Sequence, residues 1–118
     1  MRILIVEDEF LVAMLLEDIL SEMGHRVVAR VSRVGEAIKI ASEADINFAI
    51  LDIDFLGGAK SFPVAEVLRR RCIPFLFATG YGSDGLAGEY SDELALQKRY
   101  ARSELEAAID QVSAGASG

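Results

Sequence analysis

Ala49-Ile50-Leu51-Asp52-Ile53-Asp54-Phe55 is the stretch that decides how this chain is read. An apolar run from Phe48 to Leu51 ends on a carboxylate, and Gly57-Gly58 follows shortly after. Unbroken apolarity is the pattern of a strand covered on both faces, as parallel strands are. In open α/β sheets, ligands gather where the carboxyl ends of strands open into loops, so Asp52 stands where chemistry is expected. A single carboxylate at a strand end carries little alone. Its company comes from the rest of the chain.

Upstream, residues 2–6 form another short apolar run, which stops abruptly at Glu7-Asp8-Glu9. Val12, Leu15, Leu16, Ile19, Leu20 and Met23 then recur at helical spacing, with Glu17, Asp18, Ser21 and Glu22 opposite them. Gly24 is placed to close that helix, and His25 after it is expected to be exposed. Val27 to Ala29 reads as a second strand, and Ser32 as the N-cap of a helix that buries Val34, Ala37, Ile38 and Ala41. The strand ending at Asp52 is the third.

Downstream, Pro63 suits the first turn of a helix, where its missing N–H costs nothing, and Val64, Val67 and Leu68 are its buried stripe. Arg69-Arg70-Arg71 fall in the last turn, as cations complementing a helix carboxyl end. Cys72 reads as a small core residue beside a strand. Ile73 to Ala78 makes the fourth strand, ending at Thr79-Gly80, and Leu94 to Gln97 a short fifth, ending at Lys98. Ser103 and Glu106 form a capping box for a last helix with the stripe Leu105, Ala108, Ile109 and Val112. Residues 114–118 read as a flexible tail after a domain spanning 1–113.

Strands alternating with helices predict an α/β domain, a doubly wound parallel sheet with helices on both faces. Residues 81–93 break the rhythm. Gly82, Gly85 and Gly88 each cost about 1 kcal/mol in a helix interior, so a short or disordered fourth helix is expected.

Length and composition narrow the function. At 118 residues the chain makes one core, and 52% hydrophobic with 26% charged residues is ordinary for a soluble domain. Twelve basic against 19 acidic residues give a net charge of −7, which argues against a nucleic-acid partner. One cysteine excludes an intrachain disulfide and suits a reducing compartment. No stretch approaches the ~18 apolar residues of a membrane span, and a cytoplasmic location without membrane contact is expected.

Glu7-Asp8, Asp52, Thr79 and Lys98 follow the first, third, fourth and fifth strands, whose ends neighbour one another in such a sheet. Clustered carboxylates repel each other unless a cation sits among them, and oxygen ligands of this kind suit Mg²⁺. Lys98 and Thr79 add an ammonium and a hydroxyl where phosphoryl oxygens would lie. The set is suited to moving a phosphoryl group onto Asp52.

With these five positions in this order, the chain resembles the response-regulator receiver domains of two-component signalling over nearly its whole length. The resemblance implies a flavodoxin-like, five-stranded parallel sheet in the order 2-1-3-4-5. It implies Asp52 as phosphoacceptor, taking the group from a histidine kinase or phosphotransferase. Asp8 and Asp52 would ligate Mg²⁺ directly, Glu7 through water, and Asp54 through its backbone carbonyl. Thr79 and Lys98 would contact the phosphoryl group and report it to a further signalling protein. Such a domain is not an enzyme but assists its own phosphorylation and dephosphorylation. Pro74 to Gly82 is similar to the FATGUY subgroup of receivers, many of them stand-alone regulators, and the chain is expected to be one.

Three positions depart from the family pattern. Arg99 stands where proline usually follows the lysine, and because a cis bond without proline costs about 2.5–4 kcal/mol, a trans bond is expected. Ala95 stands where a switch aromatic is usual, and the weak fourth helix removes part of the usual output face. Tyr81 and Tyr90 are the candidate switch aromatics in that segment. The rival reading is a pseudo-receiver, a binding module of the same fold that works without phosphorylation. Asp52-Ile53-Asp54 also matches the Asp-x-Asp pair of haloacid-dehalogenase-type phosphatases, but on the third strand and without the usual Gly-Thr or Gly-Val after it. A flavodoxin-type nucleotide site lacks its phosphate loop after the first strand.

Overall fold

Five strands and four helices make up residues 1–52, 62–79, 95–97 and 102–117, the part of the chain that the computed structural model describes. In chain order they are β1 (Arg2–Val6), α1 (Phe10–Glu22), β2 (Arg26–Val31), α2 (Val34–Glu43), β3 (Phe48–Asp52), α3 (Phe62–Arg70), β4 (Phe75–Thr79), β5 (Ala95–Gln97) and α4 (Arg102–Ser117). The strands form one sheet in the order β2-β1-β3-β4-β5, and every pairing is parallel. This is the expected doubly wound, flavodoxin-like arrangement. Buried apolar strands rule the centre: β3 is buried at every position, β1 at all but its first.

Two cores lie on opposite faces of the sheet, as the alternation of side chains along a strand requires. Leu4, Val6, Ala49 and Leu51 point to the α2–α3 side and pack on Ala37, Ala41, Val64, Ala65 and Leu68. Phe62, Phe75 and Phe77 join them with edge-to-face ring contacts, centroids 5.7 Å and 5.6 Å apart. Ile3, Ile5, Phe48 and Ile50 point the other way, onto Ala13, Leu16, Leu20, Leu105, Ala108 and Ile109 of α1 and α4.

Gly24 closes α1 as expected, with φ +90. The N–H of Gly24 donates to Ser21 O and that of His25 to Leu20 O, which is a Schellman motif. α3 ends the same way. Cys72 donates to Arg69 O and Ile73 to Leu68 O, with Cys72 at φ +59. Cys72 is exposed at this helix end rather than packed in the core, because the left-handed position points its side chain outward while Ile73 turns inward.

Several local expectations shift. Leu15 faces solvent and Ala13 the sheet, because Phe10 to Leu16 is apolar throughout and periodicity within it cannot choose a face. The residue before α2 is Arg33, with no side-chain cap, so Ser32 does not serve as its N-cap. α4 already includes Arg102, which places Ser103 inside the first turn, and its backbone stays helical to Ser117 where a tail was expected from 114. Arg69 and Arg70 do sit in the last turn of α3. Arg71 instead reaches α2, donating from Nη1 to the carbonyls of Ala41 (2.6 Å) and Ala44 (3.0 Å). It satisfies carbonyls that a helix end leaves unpaired. His25 is half-buried, its Nδ1 2.9 Å from the amino group of Met1. The expected weak helix at 81–93, Tyr81, Tyr90, Asp54 and the Lys98–Arg99 bond lie outside the described residues.

Candidate functional site

Register brings the carboxyl ends of the strands level. Val6 pairs with Leu51, so Glu7 and Asp52 come next on neighbouring strands, and Asp52 pairs with Ala78. Thr79 ends β4 opposite Gln97 of β5, the residue before Lys98. The backbone therefore carries Thr79 to the same edge as Asp52. Lys98 and Asp54 lie outside the described residues.

Glu7, Asp8 and Asp52 meet there. Each offers a carboxylate oxygen, and the three lie within 4.8 Å of one another. Glu7 and Asp52 are buried, 6% and 4% exposed, and Asp8 is half-buried. Among the described residues these are the buried charged side chains. Carboxylates are almost never fully buried without compensation, which makes a pair of them at one sheet edge a candidate site.

The local structure explains how the group is held. The Glu7 N–H donates to Val31 O at 3.0 Å, tying the end of β1 to the end of β2. Glu7 Oε1 accepts from the Glu9 N–H at 3.2 Å, fixing the turn into α1. That interaction stands in for an N-cap, since Glu9 makes no side-chain cap bond at the start of α1. At Asp52 one oxygen, Oδ2, is shut off from solvent. A cation placed between the three carboxylates would offset the negative charge that they gather there. Hard oxygen donors with waters to complete the shell are the ligand set of Mg²⁺. The residues fit the metal that the sequence implies.

A cleft of about 190 Å³ opens beside Glu7 and Asp8, between the first turn of α1 and the end of β2. Arg30 forms part of its wall. Its guanidinium lies 5.3 Å above the ring centre of Phe10 and pairs with Glu17 Oε1 at 3.2 Å. At the surface of α1, Phe10 (66% exposed), Leu11 (66%), Met14 (37%) and Leu15 (60%) make an apolar stripe that begins directly after Glu9. Neither feature was read from sequence. The signal for the stripe was present: seven consecutive apolar residues are more than one buried face can use. The Arg30 contact had none, being a meeting of residues 20 positions apart.

Comparison with known proteins agrees with this geometry. Residues 3–110 match the family model of the response regulator receiver domain. The chain is 39% identical over 90 residues to the phyllosphere-induced regulator PhyR of Methylorubrum extorquens, and spans about a third (34%) of that protein's length. Its fold is similar to the solution structure of SdrG from Sphingomonas melonis Fr1, with TM-score 0.84, 39% identity and 95% of each chain covered. It is also similar to the BeF3-activated conformation of SdrG from Pseudomonas melonis Fr1, with TM-score 0.80, 42% identity and 92% of each chain covered. A parallel sheet in the order β2-β1-β3-β4-β5, three carboxylates converging at its carboxyl edge and a match over nearly the full length together make this chain a member of the response regulator receiver domain family.

Proposed function

We propose that this receiver is a phosphorylation-controlled signalling switch or phosphate shuttle whose phosphoacceptor is Asp52. The observation that carries the reading is the meeting of Glu7, Asp8 and Asp52 within 4.8 Å, with Asp52 at the end of a fully buried strand. Asp52 supplies the nucleophile: a carboxylate oxygen attacks the phosphorus of a phosphohistidine on a histidine kinase or phosphotransferase. The O–P bond forms as the P–N bond breaks, and the leaving imidazole nitrogen takes a proton. Asp8 and Asp52, with Glu7 beside them, would hold Mg²⁺. The ion would offset charge on the phosphoryl oxygens as they pass between the two proteins.

Rigid strand ends hold Asp52 in place, so little ordering is left for the reaction itself. Thr79 and Lys98 follow neighbouring strands and are assigned to the phosphoryl oxygens, with Asp54 completing the metal set. The stripe of Phe10, Leu11, Met14 and Leu15 offers a donor protein apolar surface to bury beside the acceptor. The chain acts as a phosphoacceptor that assists gain and loss of its own phosphoryl group, not as a turnover enzyme. Its place is the cytoplasm, between a sensor kinase and one further signalling protein. The relative of 42% identity described in a BeF3-activated conformation supports a two-state switch, in which occupation of the acceptor shifts the population.

Intact mass after incubation with Mg²⁺ and acetyl phosphate tests the reading, with Asp52→Ala and a metal-free sample alongside. One phosphoryl adduct that needs both Asp52 and Mg²⁺ is expected. No adduct under any condition, repeated with a cognate kinase, would overturn it in favour of a pseudo-receiver. Ala95 and Arg99, standing where the family has an aromatic and a proline, are what favour that second reading.

A further inference from the structure

The turn that carries Glu7 and Asp8 leads straight into α1. α1 begins at Phe10 with no side-chain N-cap and no acidic residue in its first turn. Glu7 helps to hold the turn from inside, with its N–H on Val31 O and its Oε1 on the Glu9 N–H. The second of these engages the carboxylate of Glu7, which also belongs to the candidate metal site.

Arg30 supplies an anchor from outside. It projects from β2 and meets α1 at two places, the ring of Phe10 at 5.3 Å and the carboxylate of Glu17 at 3.2 Å. Phe10 and Glu17 are seven residues apart, two helical turns, so both lie on the side of α1 that faces β2. One planar guanidinium thus straps the first two turns of α1 to the sheet edge from which Glu7 and Asp8 emerge. Stacking on a ring while pairing with a carboxylate is what Arg does and Lys does poorly.

We infer that Arg30 is a positioning residue for the metal site: by clamping Phe10 and Glu17 it holds the Glu7-Asp8 turn in metal-binding geometry. This rests on the reading of Glu7, Asp8 and Asp52 as Mg²⁺ ligands. A positive charge beside a cation site opposes the cation, so removing it by charge alone would tighten Mg²⁺ binding. Loss of the clamp would weaken it.

Calorimetric titration of the full chain with Mg²⁺ decides between these, for the native protein, Arg30→Gln, Arg30→Lys, Phe10→Leu and the Arg30→Gln/Phe10→Leu double variant. Arg30→Gln and Phe10→Leu are each expected to raise the dissociation constant by about threefold to tenfold, below or at the foot of the ~10–100-fold seen for partners bonded directly to ligands. The double variant should be little weaker than either single one, because both break the same contact. Arg30→Lys should recover only part of the affinity although it keeps the charge. The weakening should persist at 0.5 M salt, where a Coulomb effect fades. Melting temperatures without metal should move little, since the pair is one-third exposed. Equal or tighter Mg²⁺ binding by Arg30→Gln, or strictly additive losses, would overturn the inference while leaving the metal site standing. No Mg²⁺ binding by the native chain would overturn both.

Discussion

The two layers that cover the sheet are finished differently. On the α2–α3 side, among the described residues, no large apolar side chain of either helix is exposed. Arg71 of the α3 end closes the carboxyl end of α2, and Phe62, Phe75 and Phe77 interlock beneath. On the α1–α4 side, α1 buries Ala13, Leu16 and Leu20 and leaves Phe10, Leu11, Met14 and Leu15 outside. The same helix is therefore half core and half surface stripe, and the stripe begins one residue after the acidic turn Glu7-Asp8-Glu9. A layer closed on itself serves stability. A layer left open beside a cluster of buried carboxylates suits contact with another protein.

The comparison breaks most sharply on one pair of substitutions. Leu68→Ala empties a fully buried position in the closed layer and should cost about 2–5 kcal/mol in urea unfolding. Leu15→Ala should change stability by less than ~0.5 kcal/mol. Its effect is expected elsewhere: slower phosphorylation by a protein donor, with labelling by acetyl phosphate unchanged. Equal unfolding costs at the two positions would show that the layers do not differ as described.

Arg71→Ala tests how far the closed layer depends on one side chain. It strips a charged donor from the carbonyls of Ala41 and Ala44 and should cost about 1–2 kcal/mol. Lys at that position should recover little, because a single ammonium lacks the planar reach of Arg.

The helix ends sharpen the comparison further, since α1 and α3 use the same motif with different residues at its left-handed position. Nothing lies within 4 Å of where a Cβ at Gly24 would be, so Gly24→Ala should cost only backbone strain, about 1 kcal/mol. Cys72→Gly should stabilise by about 0.5 kcal/mol. The ~1–2 kcal/mol penalty of a left-handed side chain slightly exceeds the ~0.5–1 kcal/mol entropy cost of glycine. Thermal melts of the two variants should move in opposite directions.

The smallest effect concerns His25, on the α1–α4 side. Burial, aided by the neighbouring amino group of Met1 and opposed by Asp110, holds its pKa below the usual 6.5. The unfolded chain then binds the proton more readily than the folded one. Stability should be full above pH ~6.5, decline as pH falls through that value, and level off below the folded pKa. His25→Gln should flatten that part of the pH–stability curve, and an unchanged curve would mean that other groups set it.

Much of this was legible in the chain. Phe48 to Leu51 and Ile3 to Val6 declared themselves as buried parallel strands because nothing polar interrupts them. The convergence of Glu7-Asp8 and Asp52 was legible because each directly follows such a run, and register sets neighbouring strand ends level. Where the text of the chain was uniform, it could not choose. Phe10 to Leu16 offered every face of α1 equally, and the sheet chose Ala13, whose small side chain is buried against Ile3, Ile5 and their neighbours. Capping failed at Ser32 and Ser103 for a related reason. A serine near a helix start is a local preference worth about 1 kcal/mol, and the docking of a whole helix face outweighs it.

By itself, then, the sequence determined the order of elements, the parallel sheet and the acidic set at its carboxyl edge, because periodicity and strand ends are written in consecutive residues. Only the tertiary structure decided which face of α1 stays open, that Arg71 serves α2, that Cys72 stands outside at a helix end, and that Arg30 grips Phe10 and Glu17. The contacts of Arg30 and Arg71 join residues 13 to 30 positions apart, and no local pattern carries that distance.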